Sequence, residues 1–371
     1  MTEKYQFPQE KWSYGLTDDM LGNQGKLSQK DLLTKPTILP KSEENRPVAL
    51  RERRAEFCKE VFSLRNDFRN GLLNETEYKQ EANSLISKLE DNDEIYLRFL
   101  EGIEPIYVDM GKLGVQKANY VDLNLKDTDL TKPPIVYIPG ISNDVNGTGE
   151  FALELALSSK RRVIMFTYPE SPQGKVTKQF SKAVLKSNHF EAHVGFFKGA
   201  IEQVLGKDSN FDICGLSAGS IMASEISKDK NFAKRIRKIN LIVPPGITGL
   251  NPFDIKKRLE MNNEALKKME ENGLVGRLMV TNVKFLDRTK EEINIAERTF
   301  KFLAFKMARK YKWWEGMSEA KVIVAKGDGV TYGIKNVDKL KNNPNLSLEI
   351  IDGGHEVAAV NPIRVIEKMD F

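Results

Sequence analysis

The chain has 371 residues, 40% of them hydrophobic and 29% charged, with a formal net charge of +5. That length implies one large or two modest domains, and the composition excludes fibrous and wholly disordered classes. The positive charge is mild and spread along the chain, so no nucleic-acid partner is expected.

The opening stretch MTEKYQFPQEKWSYG has no basic region followed by an apolar core, and no segment is long and apolar enough to span a bilayer. A cytoplasmic protein is therefore expected. Cys58 and Cys214 are the only cysteines; they do not make a disulfide framework and have no metal-ligand spacing.

Residues 1–45 are polar, contain several Pro and Gly, and lack periodicity, which predicts a largely disordered or loosely packed N-terminal segment. Over residues 46–102 the spacing predicts a helical hairpin. Leu50, Phe57, Val61, Leu64 and Phe68 form one apolar stripe, and Gly71 is the stop. Asn74 with Glu77 three residues later reads as a capping box, after which Tyr78, Ala82, Leu85 and Leu89 keep the helical period. The stretch resembles short helical hairpins appended to many bacterial proteins, which raises homo-oligomerisation through it. Packing on its own protein is the favoured alternative.

From residue 103 the signal turns to strands and helices in alternation. EPIYVDMG, KANYVDLNL and the fully apolar PPIVYIPG read as strands. EFALELALSSK follows as a helix, then the strand RRVIMFTYPES, the helix HFEAHVGFFKGAIEQVLG, the strand FDICG, a helix after Ser217 and the strand INLIVPPG. A long helical region precedes the last two strands, KVIVAKGDG and LSLEIIDGGH. Strand alternating with helix implies an α/β fold, a mainly parallel, doubly wound sheet.

Within it lies Gly215-Leu216-Ser217-Ala218-Gly219. Gly-X-Ser-X-Gly alone is weak evidence, since about one chain in eight of this length should hold it by chance. Its setting matters more. FDIC supplies a strand and SIMASEI a helix, so the turn between them would lift the serine hydroxyl above the sheet edge.

A serine hydroxyl needs a positioned base, and the base needs a carboxylate to orient it. Of the three histidines, His189 and His193 lie before or in a helix and suit surface or packing roles. His355 follows the last strand, in DGGHEVAAVNP. Asp328 stands in the turn after the penultimate strand, in AKGDGV. The order Ser217, Asp328, His355 is that of the nucleophile-elbow enzymes. An oxyanion hole would use the backbone N–H of Ala218, at the start of the helix, and that of Ile141, in the loop of IVYIPGISND.

Together these residues resemble the α/β-hydrolase family over about residues 103–371. Pro139, Leu216 and Ser220 stand where many members have His, His and Gly, so no subfamily is indicated. The family usually inserts a cap between the two strands that here bracket residues 247–320. In that interval ERTFKFLAFKMARKYKWWEG reads as a helix, with Phe300, Leu303, Ala304, Met307 and Tyr311 on one face and Lys301, Lys306, Arg309 and Lys312 among aromatics on the other. A cap with solvated charges is favoured over a helix contacting a membrane surface. Trp313 and Trp314 would pack the cap or line an acyl pocket.

The resemblance implies a serine hydrolase acting on a small-molecule ester, thioester or related acyl compound through an acyl-enzyme, with no metal or organic cofactor required. The alternatives are an acyltransferase using the same three residues and a catalytically idle scaffold working through the hairpin.

Overall fold

The computed structural model describes residues 103–125, 128–141, 145–171, 174–187, 189–247, 290–308, 311–328, 330–331, 337–355, 357–360 and 362–371, with isolated positions between 60 and 84. The expected N-terminal segment at 1–45, most of the hairpin and the cap residues 248–289 lie outside the described residues. At Asn74 the capping box is present. The Asn74 amide oxygen accepts from the Thr76 and Glu77 backbone N–H groups at 2.9 and 3.0 Å, while the Glu77 carboxylate accepts from the Asn74 N–H at 2.8 Å.

Among the described residues eight strands form one sheet: β1 (Ile103–Asp109), β2 (Val115–Leu123), β3 (Ile135–Ile138), β4 (Val163–Phe166), β5 (Phe211–Leu216), β6 (Ile236–Ile242), β7 (Ala320–Ala325) and β8 (Leu346–Ile351). Their order is β1-β2-β4-β3-β5-β6-β7-β8. The first two strands form an antiparallel pair, and β2 runs antiparallel to β4. From β4 across to β8 every pairing is parallel. The C-terminal ends of β3 to β8 therefore share one edge of the sheet, where α/β folds of this kind place their ligands.

Among the described residues from 103 onward the α-helices are α1 (Val145–Ser159), α2 (Lys178–Lys186), α3 (Glu191–Leu205), α4 (Ala218–Ser227), α5 (Lys230–Ala233), α6 (Lys290–Ala308), α7 (Val337–Lys341), α8 (Val357–Val360) and α9 (Pro362–Ile366). The strands divide their side chains between two apolar layers. Val136 and Ile138 of β3 join Phe196, Phe197 and Ile201 of α3 and Ile221 and Met222 of α4 on one face. Ile135 and Tyr137, one residue out of phase, join Phe151 and Leu155 of α1 and Val365 of α9 on the other. Burial on both faces is why β3 and β4 carry unbroken apolar runs rather than alternation; the one charged residue of β5, Asp212, is buried in an ion pair with Arg161 at 2.6 Å.

The short helices α5, α7, α8 and α9 were not expected from the sequence, and two longer elements also differ from the expectation. Helix α2 was not expected, because only Phe180, Ser181 and Val184 of its nine residues are buried. Its start is fixed instead by Thr177, whose hydroxyl accepts from the Phe180 N–H at 3.1 Å. The helix expected through residue 316 ends at Ala308, and Tyr311 lies beyond it. On α6 the expected apolar face is present, with Leu303 and Met307 buried and Phe300 and Ala304 half-buried against the core. Lys306 is not simply solvated, since its ammonium donates to the His189 carbonyl at 2.8 Å. No described helix is long and apolar enough to cross a membrane.

Candidate active site

The chain leaves β5 at Leu216 and turns within one residue into α4. Ser217 takes φ 51° and ψ −116°, a combination rare for any residue with a side chain. Such strain costs on the order of 1–3 kcal/mol and persists only where the surroundings enforce it.

The flanking glycines make that enforcement possible. A methyl group on Gly215 would lie 2.4 Å from the Gly219 carbonyl oxygen, and one on Gly219 would lie 1.9 Å from the Ile138 carbonyl oxygen. Backbone therefore meets backbone on both sides of the serine.

Three further hydrogen bonds lock the turn. The Ser217 N–H donates to the Ile242 carbonyl at 2.8 Å. The hydroxyl of Ser220, wholly buried, reaches the Gly215 carbonyl at 2.7 Å and that of Ile242 at 3.0 Å. Ser220 thus ties the elbow to β6, a role its sequence position did not disclose.

The expected partners converge on the serine. His355 Nε2 lies 2.9 Å from Ser217 Oγ, and its Nδ1 lies 3.1 Å from Asp328 Oδ2. Asp328 is 2% exposed, and its Oδ1 accepts from the Val330 and Thr331 N–H groups, both at 2.9 Å. The Thr331 hydroxyl adds a short bond to Oδ2. Burial by itself would push the Asp328 carboxyl up, but the His355 ring and the Thr331 donors hold it below its ordinary value. It stays an anion at neutral pH. The loops carrying Asp328 and His355 are joined by the Gly327 N–H donating to the Gly353 carbonyl at 2.8 Å.

Ala218 is the first residue of α4, and Ile141 lies in the turn leaving β3. The close approach of Gly219 to Ile138 and Pro139 sets these two backbone segments side by side. The other histidines stay out of the serine's hydrogen-bond chain. His193 is buried and pairs with Glu170 at 2.5 Å, while His189 lies at the surface with its ring edge to Tyr311. Trp313 is fully buried, its indole N–H donating to the Pro245 carbonyl at 2.9 Å, and it stands perpendicular to Trp314. Among the described residues no group of three or more His, Cys, Asp or Glu is placed to hold a metal ion.

No protein-family model matches the sequence, and no curated protein matches it. Solved structures do resemble the fold. A serine hydrolase involved in carbazole degradation superposes with a TM-score of 0.52 at 14% identity, covering 71% of this chain and 96% of its own. A thioesterase domain from the curacin biosynthetic pathway gives 0.52 at 11% identity, covering 71% and 98%. An N-formylmaleamic acid deformylase from Pseudomonas putida gives 0.50 at 12% identity, covering 72% and 99%. With its strand order, its parallel run from β4 to β8 and these likenesses, the chain has the α/β-hydrolase fold.

Proposed function

We propose that the protein is a serine hydrolase that cleaves a carboxylic ester, thioester or related acyl bond through an acyl-enzyme on Ser217. The observation that carries this reading is the continuous hydrogen-bonded chain from Ser217 Oγ through His355 to Asp328, set on a strained turn at the edge of the sheet.

In this mechanism Ser217 Oγ attacks the acyl carbon as its proton passes to His355 Nε2. Asp328 holds the Nδ1–H and stabilises the imidazolium that forms. The negative charge developing on the carbonyl oxygen is met by the backbone N–H groups of Ala218 and Ile141, the former at the positive end of α4. Collapse breaks the bond to the leaving group, which takes the proton from His355. Water then attacks the acyl-enzyme by the same route, with His355 again accepting a proton and returning it to Ser217. The thioesterase and serine hydrolase among the structural neighbours are consistent with acyl chemistry.

Rapid mixing with 4-nitrophenyl acyl esters tests the reading. An acyl-enzyme intermediate predicts a burst of nitrophenolate stoichiometric with protein, followed by slower turnover. Loss of both burst and turnover in Ser217→Ala is expected; retention of either in that variant would refute the assignment.

A further inference from the structure

A second polar cluster stands on the same sheet edge and takes no part in the chain from Ser217 to Asp328. The segment leaving β4 carries Tyr168 and Glu170, and α3 brings His193 against them. The His193 and Glu170 side chains are only 1% and 3% exposed, and they meet through His193 Nε2 and Glu170 Oε1 at 2.5 Å. The surroundings are apolar: Tyr168 stands edge-on to Phe197 at 5.0 Å, and His193 edge-on to Phe180 at 5.2 Å.

The pairing uses only half of the carboxylate. Among the described residues neither the buried Glu170 Oε2 nor the buried Tyr168 hydroxyl has a hydrogen-bond partner. A buried carboxylate oxygen and a buried phenol are each strongly destabilising when unsatisfied, and such groups in folded proteins are generally matched by something. Burial first, and then the neighbouring Glu170 charge, push the Tyr168 phenol well above its ordinary value, so it remains a donor at any working pH.

The two atoms ask for complementary partners. Glu170 Oε2 needs a donor; Tyr168 presents one and needs an acceptor. A hydroxyl supplies both from a single oxygen. An ammonium could donate to Glu170 Oε2 and to the phenol oxygen but would leave the phenol O–H without an acceptor, and an anion would be repelled by the carboxylate. Strand order fixes where such a group would come from. β4 is separated from β5 by β3 alone, so the cluster leaves the sheet about 10 Å to the side of Ser217 and on the same edge.

We propose that Tyr168 and Glu170 form a polar subsite that takes a hydroxyl carried on the acyl chain of the substrate, with His193 positioning the Glu170 carboxylate. The inference rests on the hydrolase reading above and adds to it a substrate class, hydroxylated acyl esters.

The test compares kcat/KM for 4-nitrophenyl hexanoate, octanoate and decanoate with their ω-hydroxy counterparts, using the full chain. The subsite predicts that at one chain length the hydroxylated ester is preferred by about 10- to 100-fold, the range expected for a hydrogen bond to a charged group. That ratio should collapse toward one in Tyr168→Phe and in Glu170→Gln, with the melting temperature followed to identify a variant that fails to fold. Equal cleavage of both series by the wild type would overturn the subsite and leave the hydrolase reading standing. Cleavage of neither series, with no nitrophenolate burst, would overturn both. A wild-type preference that persists in a folded Tyr168→Phe variant would also overturn the assignment.

Discussion

Replacing Gly219 by Ala isolates the contact on which the elbow depends. The added methyl would sit 1.9 Å from the Ile138 carbonyl oxygen, 2.6 Å from the Ile138 carbonyl carbon and 2.7 Å from the Pro139 carbonyl oxygen. The first of these falls about 1.5 Å short of ordinary contact. No flexible side chain can yield, so either the start of α4 or the loop after β3 must move by about an ångström. Both segments carry proposed oxyanion donors, and a displacement of that size costs about 10²-fold in rate. Overpacking adds about 1–3 kcal/mol of destabilisation. Gly195→Ala on α3 is the comparison, because its nearest obstacle is the flexible end of Met110 at 3.1 Å, and its stability should stay within about 1 kcal/mol of wild type. Ester hydrolysis and differential scanning calorimetry on both variants provide the assay. Wild-type kcat/KM and melting temperature in Gly219→Ala would refute the close-approach account of the elbow.

Other outcomes follow from the same geometry. Asp328→Asn should leave the fold intact and lower kcat by roughly 10⁴-fold, because an amide cannot hold the required imidazole tautomer; steady-state kinetics measure this. Thr331→Val removes one donor from the buried Asp328 carboxylate and should lower stability at neutral pH by about 1.5–3 kcal/mol. Asp328 is held below its ordinary value, so its contribution is complete above the unfolded pKa of about 3.9 and is lost as pH falls through the lower folded value. Melting curves between neutral and acid pH should therefore show Thr331→Val losing stability at a higher pH than wild type. Trp313→Ala empties a fully buried site and strands the Pro245 carbonyl; it should cost about 3–5 kcal/mol, measurable by calorimetry.

Much of the domain was legible because its signals are local. The unbroken apolar runs of β3 and β4 need no partner to be recognised, and the Asn74–Glu77 capping box is complete within four residues. Ser217, Asp328 and His355 stood out because each lies where a strand ends, although they are brought together across 138 and 27 positions of sequence. What stayed hidden depends on distant partners. Ser220 stands where a glycine is common, and its purpose emerges only when β6 brings the Ile242 carbonyl beside it. His193 resembles any helix residue until the segment after β4 sets Glu170 against it. Helix α2 offers few apolar positions, and its start is fixed by Thr177, whose side chain also accepts a hydrogen bond from Gln116 on β2.

The central claim is that Ser217 is an activated nucleophile. The most direct measurement is intact-mass and peptide analysis of the protein after treatment with a fluorophosphonate. The account predicts one covalent adduct, carried by Ser217 and lost in Ser217→Ala and His355→Ala. A folded wild type that takes up no adduct, or one that carries it on another residue, would contradict the account.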